Sequence, residues 1–286
     1  MNGSLLTVDD LVVEYPGRGF RAPPFRAVEG VSFDIRPGET VGLVGESGSG
    51  KTTIGRAILG LAPVSAGTVT FRGEDISRPT PRRRRELTRD LQVVYQDPYS
   101  SLNPSLTIGD SLAEPLVVRR TPKQQARARV RELLDTVGLP TDAADRMPRE
   151  FSGGQRQRVA IARALALDPT LIVCDEPVSA LDLSTQALVL ELFLEIQQRT
   201  GVAYLFISHD LAVVREMSHR VAVLHRGELV EWGPGDVVTS APEHPYTQRL
   251  LLASPVPDPA AQEQRRADRL RLRELQAEQD LQAGTA

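Results

Sequence analysis

Short apolar runs rich in β-branched residues recur along the chain at 11–15, 31–35, 40–44, 91–95, 171–174, 203–207 and 221–224. Several are apolar at nearly every position, the pattern of a strand covered on both faces. Between them, apolar spacing near 3.6 residues predicts helices over 51–61, 123–137, 155–167, 184–199 and 210–217. Strands alternating with helices predict an α/β domain with a largely parallel core sheet. No period of 20–50 residues is visible, which removes solenoids and propellers.

The pattern changes in two places. Residues 97–150 are rich in Pro, Arg and helix formers and poor in strand signals, so a helical subdomain of about 97–160 is expected as an insertion into the sheet domain. Beyond about 240, Pro255, Pro257 and Pro259 read as an extended linker, and 262–282 as a charged stretch with few apolar anchors. The arginine run 82–85 lacks interleaved aromatics and reads as a solvent-facing helix start.

Charge narrows the choice of partner. With 34 basic against 37 acidic residues the net charge is −3, so a nucleic-acid backbone is not the expected partner. The opening MNGSLLTVDD lacks the basic flank and apolar stretch of an export signal, and no apolar run approaches the roughly 18 residues of a bilayer span. Any membrane role is therefore expected to be indirect. Cys174 is the single cysteine, which excludes an intramolecular disulfide and a cysteine-based metal site and fits a reducing compartment. Lysine occurs only at 51 and 123, so a lysine inside a motif carries weight.

Lys51 stands in such a motif. Gly45-Glu46-Ser47-Gly48-Ser49-Gly50-Lys51-Thr52 matches G-x-x-x-x-G-K-[ST], follows the run 40–44 and precedes a helical pattern. At ordinary glycine usage, chance would place this octet in a chain of this length about once in a hundred. Glycines let backbone N–H groups turn inward to phosphate oxygens, and the helix start adds its positive end. Lys51 is expected to reach the β- and γ-phosphates of a nucleotide and the Thr52 hydroxyl to ligate Mg²⁺.

A phosphate loop of this kind needs a carboxylate from another buried strand to hold the metal. Leu171-Ile172-Val173-Cys174-Asp175-Glu176 supplies it: Asp175 ends the apolar run, and Glu176 is placed to polarise a water for attack on the γ-phosphate. Phe151-Ser152-Gly153-Gly154-Gln155 marks a second helix start, with Ser152 as N-cap and glycines behind it. Taken alone, that pentapeptide reads equally as a capped helix without a ligand.

In order, the motifs at 45–52, Gln96, 151–155, Asp175-Glu176, Ser179-Ala180-Leu181-Asp182 and Ser208-His209-Asp210 resemble those of the ATP-binding subunits of ABC transporters. The resemblance covers about 5–254; Phe151 stands where leucine is usual. It implies a RecA-like P-loop NTPase core with a mainly parallel sheet, an antiparallel β subdomain and an inserted α-helical subdomain. It further implies a head-to-tail pair sandwiching ATP between the P-loop of one subunit, extended through Thr53, and Ser152, Gly153, Gly154 and Gln155 of the other. Tyr15 would stack on adenine, Gln96 would contact Mg²⁺ or the attacking water, His209 would contact the γ-phosphate, and Asp182 would help join the subunits.

Gln96-Asp97-Pro98-Tyr99-Ser100-Ser101-Leu102-Asn103-Pro104, Ala113-Glu114-Pro115-Leu116 and Pro242-Glu243-His244-Pro245-Tyr246-Thr247 are similar to the dipeptide/oligopeptide importer ATPases, the first more to the second of their paired subunits. That resemblance implies a peripheral ATPase on the cytoplasmic face of the cell membrane. Its implied partners are permease subunits, a paralogous ATPase or a second copy, and, through the complex, an extracytoplasmic substrate-binding protein. Peptides are the expected cargo, with nickel or glutathione as alternatives; a soluble ABC ATPase outside transport is the other reading. No cysteine follows Cys174, so the C-terminal iron–sulfur cluster of some relatives is excluded. Residues 241–286 are expected to form a family extension.

Overall fold

The computed structural model describes residues 3–17, 23–97 and 101–253. Two sheets form the frame. Strands β1 (Leu6–Tyr15), β2 (Phe25–Ile35), β4 (Ala66–Phe71) and β5 (Glu74–Asp75) make an antiparallel sheet in the order β2-β1-β4-β5. Strands β3 (Thr40–Val44), β6 (Leu91–Val94), β7 (Leu171–Asp175), β8 (Ala203–Ser208), β9 (Arg220–His225) and β10 (Glu228–Pro234) make the second, in the order β10-β9-β3-β8-β7-β6. All neighbours in the second sheet are parallel except β10, which returns antiparallel along β9.

Burial explains the difference in residue choice. β3 and β8 are buried at every position, as strands covered on both faces must be. In β1 and β2 buried and exposed positions alternate with interruptions, and the register shifts between Val8 and Glu14. Those irregularities hide the true lengths: only the 11–15 and 31–35 ends carry a dense apolar signal. One core cluster joins the two sheets through Val8, Val31, Leu43 and Leu205. Arg220, at the start of β9, ties them at the rim by donating to Asp34 (2.8 Å) and Glu39 (2.5 Å) while lying over the Trp232 ring at 4.6 Å.

Helix α1 (Lys51–Ile58) follows β3, and α2 (Pro81–Leu87) precedes β6. On α2 the arginines face solvent and pair with acids: Arg83 with Glu74 and Glu86, Arg82 with Glu86. Between β6 and β7 the described residues form helices and no strand. They include α3 (Ile108–Val118), α4 (Lys123–Thr136) and α5 (Gly153–Ala164). Helix α3 runs through Pro115 because Ile108, Leu112 and Leu116 bury one stripe. A second core cluster joins these helices to β7, β8 and α6 (Leu183–Thr200) through Leu134, Val159, Ile172 and Phe193. Helices α7 (Leu211–Met217), α8 (Gly235–Ser240) and α9 (Pro245–Ala253) complete the chain. Pro98, Tyr99 and Ser100, like the linker and tail from 254 on, lie outside the described residues.

Candidate nucleotide site

The carboxyl ends of three adjacent parallel strands carry the candidate chemistry. Val44 of β3 stands level with Ser208 of β8, and Ile207 of β8 with Asp175 of β7. An open α/β sheet gathers ligands at this edge because its loops and helix N-termini converge there.

The loop after β3 leaves no room for side chains at its root. A Cβ on Gly45 would lie 2.1 Å from the Leu224 carbonyl oxygen of β9, closer than any atoms can approach without displacing the strand. Ser47 and Gly48 form the exposed tip beside Glu46. Gly50, at φ 106°, is the N-cap of α1, and among the described residues no side chain caps that helix. Helix α1 therefore presents uncapped N–H groups toward the loop. Lys51 is only 4% exposed, and its ammonium donates to the carbonyls of Gly45 (2.7 Å) and Glu46 (2.8 Å). Burial lowers its pKa, opposed by the charges of Glu176, Asp175 and Glu46. Ser49 Oγ is buried without a hydrogen-bond partner among the described residues. A buried cation, an unpartnered hydroxyl and an uncapped helix start together fit an anion.

Thr52 faces β7: its hydroxyl donates to Asp175 Oδ1 at 2.9 Å, and Thr53 stands half-buried beside it. Burial raises the Asp175 carboxyl above its ordinary pKa; the Thr52 bond offsets part of that, Glu176 adds to it, and Arg56 and Lys51 oppose it. A cation between hydroxyl and carboxylate would satisfy this strained charge. No group of three or more His, Cys, Asp or Glu among the described residues is placed to hold a metal. The donor set fits Mg²⁺ held together with phosphate oxygens, the usual arrangement for an ion that keeps few protein ligands.

Glu176 turns away from β7. Its φ of 50° is in the left-handed region, unfavourable for a residue with a side chain by about 1 kcal/mol or more. The turn is held by its N–H on Ile207 O (3.0 Å) and by its own carbonyl, which accepts from Ser179 Oγ (3.0 Å). The result brings Glu176 Oε2 to 3.1 Å from His209 Nδ1, with the carboxylate side chain 17% and the imidazole 55% exposed. Donation from Nδ1–H to the carboxylate leaves Nε2 as the outward nitrogen.

The pentapeptide 151–155 is built differently. Phe151 is buried, while Ser152 and Gln155 cap α5 reciprocally: Ser152 Oγ accepts from Gln155 N (3.3 Å) and Gln155 Oε1 from Ser152 N (2.9 Å). Gly153 packs near Leu181, and a Cβ on Gly154 would lie 2.2 Å from Thr185 Cγ2. Asp182 caps α6, accepting from Thr185 N (3.0 Å), Thr185 Oγ1 (2.7 Å) and Ser184 Oγ (2.5 Å). Those bonds hold its carboxyl far below the usual range. Gln96 is exposed in the bend after β6, and Tyr15 ends β1 opposite Phe25. Among the described residues, no hydrogen bond joins Tyr15, Gln96, Asp182 or 151–155 to the phosphate loop within one chain.

Sequence reasoning passes over three contributors. Thr185 sets the room available to Gly154, Gly227 N donates to Ser49 O (3.0 Å), and the Tyr246 hydroxyl accepts from Glu46 N (3.0 Å). Each acts from a distant part of the chain, and only folding brings the partners together.

A phosphate loop at the edge of a parallel sheet, with a hydroxyl–carboxylate pair beside it, defines a P-loop nucleotide-binding protein. The ABC transporter family profile matches residues 28–179, just over half of the chain, and the chain belongs to that family. It is similar to the glutathione import ATP-binding protein GsiA of Escherichia coli strain K12, with 51% identity over 267 residues covering 92% of this chain and 43% of that protein. The GsiA of Shigella dysenteriae serotype 1 is 54% identical over 241 residues, 84% of this chain and 39% of that one. The chain thus spans less than half the length of these relatives. Among solved structures it resembles cbiO1 of Clostridium perfringens, part of the ABC transporter complex cbiONQ (TM-score 0.75, 25% identity, 84% of this chain and 92% of that one). It also resembles the ATP-binding cassette MJ0796, solved as a dimer in a post-hydrolysis state bound to ADP and Pi (TM-score 0.70, 28% identity, 80% and 98%). The expected α/β P-loop core with an antiparallel subdomain agrees with these neighbours, and no described helix is long and apolar enough to cross a membrane.

Proposed function

We propose that this chain is the ATP-hydrolysing subunit of an importer for peptides, glutathione included, seated on permease subunits at the cytoplasmic face of the membrane. In this reading 5–254 is the ATP-binding unit, its helical part at about 97–160 presents 151–155 to a second subunit, and 241–286 is an extension. One observation carries the proposal: Thr52 and Asp175 meet at 2.9 Å on the sheet edge that also holds buried Lys51 and the Glu176–His209 pair. The GsiA relatives, by name glutathione import proteins, support the cargo class.

The roles follow the family resemblance; the Lys51, Thr52–Asp175 and Glu176–His209 geometry supports them for the phosphate end of the site. Amides of residues 47–52 and the Lys51 ammonium bind the β- and γ-phosphates of ATP; Tyr15 receives the adenine. Thr52 and Asp175, with Gln96 from the adjoining bend, hold Mg²⁺, which when bound offsets phosphate charge. Glu176 accepts a proton from water as the water oxygen attacks the γ-phosphorus. The bond to the β–γ bridging oxygen breaks, and ADP and phosphate result. His209 orients Glu176 through Nδ1 and offers Nε2 to the γ-phosphate. Ser152, Gly153, Gly154 and Gln155 of a partner close the other side, with Asp182 near the join. Among the described residues 151–155 makes no hydrogen bond to its own phosphate loop, which leaves it free to close on the ATP of a second subunit; in this reading hydrolysis then releases the pair.

The test is Glu176→Gln in the chain assembled with its permeases. ATP turnover should fall by about 10²- to 10⁴-fold, the range of a lost general base, while ATP stays bound and the two ATPase subunits stay associated. Unchanged turnover would reject the catalytic assignment. In cells lacking this chain, uptake of labelled glutathione or a dipeptide should fail with nickel uptake intact; the reverse would reject the cargo.

A further inference from the structure

The segment His244-Pro245-Tyr246-Thr247 has no part in the chemistry above, yet it reaches the phosphate loop. Glu46 N–H, one residue into the loop, donates to the Tyr246 hydroxyl at 3.0 Å across 200 residues of sequence. Tyr246 is 3% exposed; its ring stacks on His225 with centroids 4.0 Å apart, and it packs in a cluster with Val44, the last residue of β3.

The helix carrying the tyrosine is itself fixed. The Glu231 carboxylate accepts from the backbone N–H of Glu243 (2.8 Å) and His244 (3.2 Å), and His244 Nδ1 accepts from Tyr246 N (3.2 Å). Pro245 opens α9, where a missing N–H is harmless. A second brace comes from the β9–β10 hairpin, where Gly227 N donates to Ser49 O. The loop is thus held at both ends of its exposed tip by a late part of the chain.

We infer that Tyr246 is a positioning residue for nucleotide binding: its hydroxyl fixes the root of the phosphate loop through Glu46 N–H, so the loop amides are aligned before ATP arrives. The inference rests on the proposed nucleotide role of this loop. A cradle held in shape loses less freedom on binding, so the bond acts on ATP affinity rather than on the chemical step.

Tyr246→Phe keeps the ring, its stack on His225 and its burial, and removes only the acceptor. Measured by fluorescent ATP titration and steady-state turnover on the full chain with its permeases, the variant should raise ATP Kd and KM about 3- to 10-fold, the worth of one hydrogen bond. Turnover at saturation should stay within about twofold of wild type, and the Glu46 amide should exchange about tenfold faster or more. A role in packing alone would lower the melting temperature and leave KM and Glu46 exchange untouched, and that result overturns the inference. Lys51→Ala separates the tyrosine's role from the loop's. Loss of ATP binding in Lys51→Ala with wild-type affinity in Tyr246→Phe overturns the tyrosine's role and leaves the loop's role standing. Absence of ATP binding in the wild-type chain overturns both.

Discussion

Two glycine-rich helix starts in this molecule look alike as text and are built to opposite ends. At 45–52 the glycines are imposed by crowding and backbone twist, the helix that succeeds them has no side-chain cap, and the first side chain in it is a buried lysine. At 151–155 the helix caps itself through Ser152 and Gln155, which are exposed. Every α-helix begins with N–H groups that lack internal partners. The phosphate loop leaves them for a ligand and adds a cation; the second start satisfies part of them internally and offers only a surface. In the proposed reading the first is a site in one chain, the second a half-site that depends on another molecule for its charge. Under the proposed function the two divide the work: one sets whether nucleotide binds, the other whether the bound nucleotide joins two subunits.

The largest expected effect that breaks this contrast falls on the first start. Lys51→Ala removes the one buried ammonium among loop carbonyls, and ATP affinity of the single chain should drop by about 100-fold, the scale of a charge-assisted contact or two. Titration of the purified chain with a fluorescent ATP analogue measures it. Equal affinity would mean that uncapped amides suffice and that the lysine is no part of the site.

The second start predicts the opposite split. Ser152→Ala should leave single-chain ATP affinity within about twofold and lower turnover of the assembled pair about tenfold, since one partner-facing donor is lost. Removing the cap also destabilises by about 1 kcal/mol, a shift of a few degrees in melting temperature. If single-chain affinity falls instead, 151–155 belongs to its own phosphate loop and the half-site idea fails.

Legibility in the sequence respects the same divide. The phosphate loop, Asp175, Glu176 and the fully buried strands are readable because their chemistry or burial is compressed into a few consecutive residues. Strands β4 and β10, each part of a tight hairpin, are not. Their turns are Arg72-Gly73 and Arg226-Gly227, with positive φ at both residues in each, whereas the expected tight-turn signal is Asn-Gly or Asp-Gly. Arginine in the left-handed region is tolerated here because ladder hydrogen bonds on both sides fix the turn. Helix α3 is obscured by Pro115, and the long β1 and β2 by their register shifts. The Glu46–Tyr246 and Gly154–Thr185 contacts have no local signature, because each partner is ordinary in its own segment.

The smallest effect tests how the half-site is supported. Gly154 lies against Thr185, and Thr185 is held by Asp182, which accepts from its amide and its hydroxyl. Hydrogen bonds from Ser184 and Thr185 lower the Asp182 pKa from 3.8, so the folded state favours the ionised carboxylate. A depressed carboxyl stabilises at pH above its unfolded value, and that contribution fades as pH falls through the lower, folded one. Asp182→Asn should therefore reduce protection of the Thr185 amide against hydrogen exchange at neutral pH. The gap to wild type should narrow as the pH falls below 3.8 toward the folded value. Helix α1 has no acid in its first turn, so its Thr53 and Ile54 amides should show no matching difference between the two proteins. A gap that stayed constant across the acid range would show that Asp182 acts through shape rather than charge. The support of the second helix start would then be as insensitive to protonation as that of the first.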